Sequence, residues 1–337
     1  MYLSIPLGQT TSNCGISEVI VIIMLLRMNA QRRSTIKTRK YSLALHGGAG
    51  PVLGRDYSVV EEHLRELTEE GRARLETGAS ALDVVEYAVA DMERSGLCVA
   101  GRGSAPNTVG YVELDASIMD GATRSAGAVA AIVGVVNPVT VARCIMQETP
   151  HVMLTGRGAL AFAREQGLEE VADPDSYYIL PVGVYEDEIH EQKHGTVGAV
   201  ALDQSGGLAA ATSTGGTFGK LEGRVGDSPM IGAGTWADDD IAISCTGTGE
   251  HIICAGGVIS IAYKLKAGAT VKVAIDEMLA EVRRLGGDAG IIAVTRDGKV
   301  TMAYNSQGMK RASVSAGEAV KVATFEDQQL ERPSGRD

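Results

Sequence analysis

Residues 194–198 read His-Gly-Thr-Val-Gly, and the Gly195-Thr196 step divides the chain into two kinds of sequence. Upstream, residues 168–193 carry Glu169, Glu170, Asp173, Asp175, Glu186, Asp187, Glu188 and Glu191 with little periodicity, and read as a mobile acidic loop. Downstream, Val197 to Leu202 is an apolar strand. Glycine lacks a Cβ, so it can hold a strained peptide unit and leave its carbonyl open to attack. The Thr196 hydroxyl is placed to attack that carbonyl. Cleavage would free Thr196 with its own α-amine, and an amine of pKa about 8 can act as general base for the hydroxyl beside it. One residue would then supply nucleophile and base, with no Ser-His-Asp triad. Taken alone, the five residues read more plainly as a tight turn before a strand.

The rest of the chain sets the frame for that step. The 337 residues are 45% hydrophobic but only 4% aromatic, with 42 glycines. The core must therefore be built from Ala, Val, Ile and Leu with many tight backbone approaches, which suits layered sheets and helices. A net charge of −11 argues against nucleic acid as a partner. The five cysteines, Cys14, Cys98, Cys144, Cys245 and Cys254, are odd in number and irregular in spacing. They form no metal pattern and point to reduced thiols in a cytoplasmic protein. Cys254 lies in an apolar run and is expected in the core. The apolar stretch Val19 to Leu26 is too short to span a bilayer, and its basic residues follow it, the reverse of a secretory signal. Residues 1–40 read as an extension outside the fold, with Met28 an alternative start.

Patterning predicts a strand over 41–46 and a turn at Gly47 to Gly50, then helices over 58–75 and 80–92, the second capped by Ser80. Strands follow at 112–119 and 126–136, with helices at 137–146 and 156–166. After Thr196 come strands at 196–203, 207–213 and 241–246, helices at 250–266 and 270–285, and a hairpin of 289–295 with 299–305. The tail from Asp327 is polar and expected to be loose.

Three Gly/Thr-rich loops follow the candidate nucleophile: Thr212 to Gly216, Gly223 to Pro229, and Thr246 to Glu250. Each alone is a turn, and Glu250 alone is a helix-start residue. Together they supply a hydroxyl, an arginine, an aspartate and exposed N–H groups. A small amino acid needs that set, since arginine clamps an α-carboxylate, aspartate pairs with an α-ammonium, and an N–H with a hydroxyl stabilises an oxyanion.

At this point the chain resembles the plant-type asparaginase / isoaspartyl peptidase family of N-terminal-nucleophile hydrolases. The matching stretches are His46-Gly47-Gly48-Ala49-Gly50, Leu114 to Gly121, Asn137-Pro138, Thr149-Pro150-His151, Gly195 to Asp203 and the three loops, in order over residues 41–310. The resemblance implies an α/β four-layer αββα sandwich, a cut between Gly195 and Thr196, and an (αβ)2 assembly. Residues 41–195 and 196–337 would be the two subunits of one domain. It implies Thr196 as nucleophile, Thr214 tuning it, and the Thr246 hydroxyl with the Gly247 N–H as oxyanion hole. Arg224 would take the substrate carboxylate and Asp227 the amine, with Gly249 beside it. The substrate would be L-asparagine or a β-aspartyl dipeptide, with no cofactor or catalytic metal and no nucleic acid or membrane partner.

One departure falls in the expected site. Family asparaginases carry Phe-Asn-Ala-Gly where this chain has Cys98-Val99-Ala100-Gly101. The Gly101 to Asn107 stretch is similar to the glycosylasparaginase branch, which makes N-glycosyl-asparagine the alternative substrate. The preceding loop, which in asparaginases holds a structural sodium ion, is altered too. Two readings from other classes stand beside these. His190-Glu191-Gln192-Lys193-His194 matches the zinc-peptidase pattern His-Glu-x-x-His, but without an apolar stripe and with Gly195 directly after it. An unprocessed, non-catalytic binding protein is the other. Asp238-Asp239-Asp240 reads as a solvated turn, and Asp115 and Asp120 as residues that hold loops.

Overall fold

Strands of this chain read as nearly continuous apolar runs because both of their faces are buried. In β1 (Ser42–Ala49), Leu43 and Leu45 face one core while Ala44 faces another. In β5 (Val197–Leu202), Val197, Ala199 and Ala201 face the first core, and Val200 and Leu202 the second. The computed structural model describes residues 40–185 and 195–326. The expected N-terminal extension up to residue 39, the His190/His194 pair and the tail from Asp327 lie outside the described residues.

β1 and β5 are neighbours at the centre of an eight-stranded sheet of order β12-β11-β1-β5-β6-β2-β3-β4. Its other members are β2 (Leu114–Asp120), β3 (Ala126–Ile132), β4 (Met153–Thr155), β6 (Leu208–Thr214), β11 (Met309–Ser315) and β12 (Lys321–Ala323). All pairs are antiparallel except β3 with β4. A second sheet has the order β10-β9-β8-β7, from β7 (Thr235–Ala237), β8 (Ile241–Gly247), β9 (Ala289–Thr295) and β10 (Val300–Tyr304). The second core runs between the sheets, where Ala44, Ala210 and Val200 meet Ala242, and on through the small sheet to its covering helices.

Helices cover both outer faces, giving the four layers αββα. On the large sheet lie α1 (Ser58–Glu76), α2 (Ala81–Ser95) and α3 (Pro138–Glu148), with α4 (Gly156–Glu165) and α5 (Pro174–Tyr177) after β4. α1 buries Val60, Leu64, Leu67 and Leu75, a helical stripe against the sheet. Ser80 caps α2 as expected, its hydroxyl accepting from the Asp83 N–H at 3.1 Å. On the small sheet lie α6 (Gly249–Cys254), α7 (Ile259–Lys266) and α8 (Val271–Arg284).

Several expectations are corrected. The Gly47 to Gly50 segment is not a turn: β1 runs on to Ala49 through a bulge after His46. The single helix expected over 250–266 is two, because Gly256 and Gly257 have φ of +88° and +62° and a Cβ on Gly257 would lie 2.5 Å from the Ala233 backbone. Cys254 is exposed, since α6 buries its Gly249 and Ile252 side. Asp238 is buried, pairs with Lys266 at 2.8 Å and accepts from the N–H groups of Asp240 and Ile241, so it is no solvated turn. Residues 168–185 are tied down by α5, by a Val135–Glu170 bridge and by the Arg94–Glu169 pair at 2.7 Å. Asp120 does hold a loop, accepting from residues 122 and 123, whereas Asp115 accepts from the Ala131 N–H of β3 at 2.8 Å and so holds a strand, where the β2–β3 register is irregular. Among the described residues, no helix is long and apolar enough to cross a membrane.

Candidate active site

Thr196 immediately precedes β5, the central strand, and is 3% exposed. β6 runs beside it and ends at Thr214. The Thr196 hydroxyl donates to Thr214 Oγ1 at 3.4 Å, and Thr214 Oγ1 also accepts from the Gly216 N–H at 2.9 Å. With its oxygen so engaged, Thr214 spends its own hydrogen on the Gly195 carbonyl, 2.5 Å away. That carbonyl belongs to the peptide bond joining Gly195 to Thr196. Thr214 therefore grips the bond on which the Thr196 hydroxyl would act, and draws electron density toward its oxygen.

The Thr196 carbonyl is held by a second device. His46 Nδ1 lies 3.2 Å from it, and a carbonyl only accepts, so Nδ1 carries the hydrogen. Burial lowers the His46 pKa from 6.5 to about 3, so the ring is neutral and Nε2 accepts. Ser244 then donates to Nε2 at 2.9 Å, Thr212 to Ser244 at 2.8 Å, and Thr235 to Thr212 at 2.5 Å. Ser117 closes the row, 2.7 Å from Thr235 Oγ1 and 2.6 Å from the Ser228 carbonyl. All five side chains are fully buried and alternate between the two sheets. The row links the candidate nucleophile to the residue after Asp227.

A small cleft of about 200 Å³, counting the solvent-open space at its mouth, is lined by Gly195, Thr196, Thr214, Arg224, Asp227 and Gly247, together with Gly216, Thr217, Gly226 and Ser228. Six of the eight residues expected at the site thus meet in one cavity. Gly249 sits against its wall, where an added Cβ would be 2.9 Å from Asp227 Oδ1 and 3.0 Å from Arg224 Nη2. Thr246 is one residue behind Gly247 at the end of β8. Its hydroxyl accepts the Ala49 N–H at 3.2 Å, which leaves its hydrogen to give. The arginine loop is built on buried charge. Glu113 accepts from the Gly223 N–H at 3.0 Å, while Lys220 Nζ donates to the Glu113 carbonyl at 2.9 Å. Burial lowers the Lys220 pKa and raises that of Asp115, which faces Thr214 across β2 and β6.

Sequence reasoning missed two participants. The motif His46 to Gly50 assigns His46 no task, although a histidine inside an otherwise apolar strand is a signal. Glu250 was read as a helix start. It does stand in the first turn of α6, and its carboxylate also takes two hydrogen bonds from Arg224, Nε to Oε1 and Nη2 to Oε2, both 2.8 Å. The guanidinium holds the Glu250 carboxyl below the usual carboxylate range. Val99, the departure from the family pattern, lies directly on Gly195. The carbonyls of the loop around it are taken up, partly within the loop and partly by Val182 and Gly215. The carbonyls of Leu97, Cys98, Val99, Ala100 and Gly101 accept from the N–H groups of Val182, Ala100, Gly215, Gly103 and Ser104. Among the described residues, no group of three or more His, Cys, Asp or Glu could hold a metal ion.

Comparison with known proteins agrees with this geometry. The family model described as asparaginase matches residues 39–180 and 175–324, beyond the 41–310 span of the motifs. The isoaspartyl peptidase of Salmonella typhimurium is 41% identical over 311 residues, covering 86% of this chain and 99% of that protein. The human isoaspartyl peptidase/L-asparaginase is 41% identical over 282 residues, covering 80% of this chain and 92% of that protein. A probable isoaspartyl peptidase/L-asparaginase of Arabidopsis thaliana is 35% identical over 332 residues, 85% of this chain and 99% of that protein. With a threonine pocket at the head of its central strand and matches running through both halves, the chain belongs to the asparaginase family, enzymes that hydrolyse amide bonds.

Proposed function

We propose that this chain cuts itself between Gly195 and Thr196 and then uses Thr196 to hydrolyse the side-chain amide of L-asparagine and of β-aspartyl dipeptides, releasing L-aspartate. The observation that carries the reading is the meeting of Thr196, Thr214, Arg224 and Asp227 in one small cavity. The names of the relatives, isoaspartyl peptidase and isoaspartyl peptidase/L-asparaginase, support the substrate class.

In the uncut chain, the Thr196 hydroxyl attacks the Gly195 carbonyl and the amide shifts to an ester, which water opens. Thr214 stabilises the oxygen on which charge builds, through the hydrogen bond at 2.5 Å. The new Thr196 α-amine is then the base, since His46 is neutral and its hydrogen is committed to the Thr196 carbonyl. In turnover, the hydroxyl attacks the substrate amide carbon, the α-amine takes its proton, and the leaving amine receives a proton as the C–N bond breaks. Water then hydrolyses the acyl-enzyme ester. The Thr246 hydroxyl and Gly247 N–H hold the oxyanion, Arg224 the α-carboxylate, and Asp227, beside Gly249, the α-ammonium.

β1 comes from before the step and β5 and β6 from after it, paired in one sheet, so the two pieces stay interlocked after the cut. An (αβ)2 assembly and a cytoplasmic address complete the reading, the latter supported by Cys98, Cys144, Cys245 and Cys254 all being free. A structural monovalent cation in the loop preceding the Val99 stretch would take no part in these steps. The Gly101 to Asn107 stretch, similar to the glycosylasparaginase branch, makes N-glycosyl-asparagine the competing substrate, and relative rates on asparagine, a β-aspartyl dipeptide and the glycosylated compound decide between them. The mechanism itself is tested by Thr196→Ala. Mass spectrometry should find one uncut chain, and β-aspartyl dipeptide hydrolysis should fall at least a thousandfold. Hydrolysis at the wild-type rate would overturn it.

A further inference from the structure

An arginine has two forked edges, one formed by Nε and Nη2 and one by Nη1 and Nη2. Glu250 occupies only the first edge of Arg224. Its side chain is 58% exposed and stands outside the cavity, whereas Arg224 is 16% exposed and lines it. The other edge turns inward. Arg224 Nη1 lies 2.9 Å from where a Cβ on Gly226 would be and 3.4 Å from one on Gly216, and both glycines line the cavity. Among the described residues, Nη1 has no hydrogen-bond partner. The guanidinium is thus gripped on its solvent side and open on its pocket side.

We propose that Glu250 is a positioning residue for substrate recognition. By holding the Nε/Nη2 edge of Arg224, it aims the Nη1/Nη2 edge at the site of the substrate α-carboxylate. This rests on Arg224 being the carboxylate clamp. A guanidinium on a flexible stem samples many orientations, and a bidentate fork rewards only one. Fixing the fork beforehand removes that ordering cost from substrate binding. Glu250 also lowers the positive charge seen by the substrate. At an exposed position that loss is screened by water, so orientation outweighs it.

The test compares a β-aspartyl dipeptide carrying a free α-carboxylate on its aspartyl residue with the analogue carrying an α-carboxamide there. Wild type, Glu250→Gln and Arg224→Gln are assayed as cut proteins, with the cut verified by mass. Wild type should prefer the acid strongly in kcat/KM. Glu250→Gln should shrink that preference about tenfold, mostly through a higher KM for the acid, and Arg224→Gln should erase it. A general structural defect would slow both substrates equally and leave the preference intact, which overturns the proposal. A lower KM for the acid in Glu250→Gln would also overturn it, because Glu250 would then be a competitor for the clamp. A wild type with no preference would overturn the Arg224 reading instead, so the two failures are told apart.

Discussion

Gly195 has a neighbour that forbids a larger residue. A Cβ there would lie 2.4 Å from Val99 Cγ2 and 2.5 Å from Val99 Cβ, closer than real side chains approach. The proposed cut site is therefore specified from two sides, by Thr214 on its carbonyl and by Val99 on its Cα. Gly195→Ala must push the Gly195–Thr196 peptide away from the Thr214 hydroxyl or displace the loop that carries Val99. A displacement of 1 Å from productive geometry costs on the order of a hundredfold in rate. Gly195→Ala is thus expected to persist as a single chain under conditions where the wild type is fully cut, followed by intact mass over time. Adding Val99→Gly clears the space and should restore part of the cutting. Gly195→Ala cut at the wild-type rate would show that Val99 does not constrain this bond. The residue that broke the family pattern is, at this scale, part of the reason that position 195 is glycine.

The row from His46 to Ser117 belongs to the next scale, because no strand owns it. β1, β6 and β2 supply His46, Thr212 and Ser117, while β8 and β7 supply Ser244 and Thr235. Close approach of the sheets is what lets the side chains meet: a Cβ on Gly198 of β5 would lie 2.1 Å from Ser244 Oγ and 2.4 Å from His46 Nε2. Thr212→Val keeps the shape but strands the hydrogen of Thr235 and the lone pairs of Ser244, at a cost of roughly 1–3 kcal/mol for buried groups left unmade. Adding Thr235→Val removes one stranded group, so the double variant should lose less stability than the two single losses together. Denaturant midpoints for the four proteins check this, and strict additivity would mean that the row is not coupled. His46 stands out in its apolar strand, but the row itself is not legible in the sequence, because the polar positions fall on five separate strands and only the sheet pairing joins them. What was legible is what repeats or caps: β5, β6, β8 and β9, the stripe on α1, the Ser80 cap, and the clustering of Thr196, Thr214, Arg224 and Asp227 implied by ordered motifs. Three-residue β4, β7 and β12 are too short to show a period, and β11, which buries Lys310 and Arg311, looks polar. The Arg224–Glu250 pair escaped notice because 26 residues separate its members.

For the whole molecule, a neutral histidine sealed between two sheets is a debt that falls due in acid. The unfolded chain binds a proton on this ring near pH 6.5, whereas the folded chain resists until about 3, because burial disfavours the charged form. Between those values the unfolded state holds more protons. The stability that His46 contributes is therefore fully present above about pH 6.5 and is lost as pH falls toward about 3. Protonation would also force Nε2 to donate, and the hydroxyls from Ser244 onward would have to reverse. His46→Asn does not titrate and keeps an N–H for the Thr196 carbonyl, so it separates this loss from that of the carboxylates, which titrate in both proteins. Denaturant midpoints taken from about pH 7 down to about pH 4.5 should fall more steeply for wild type than for His46→Asn, by the linkage of proton binding to unfolding. Parallel slopes would mean that the ring is solvated or charged in the folded state. The neutral donor on the Thr196 carbonyl, and with it the exclusion of His46 as the catalytic base, would then be lost together.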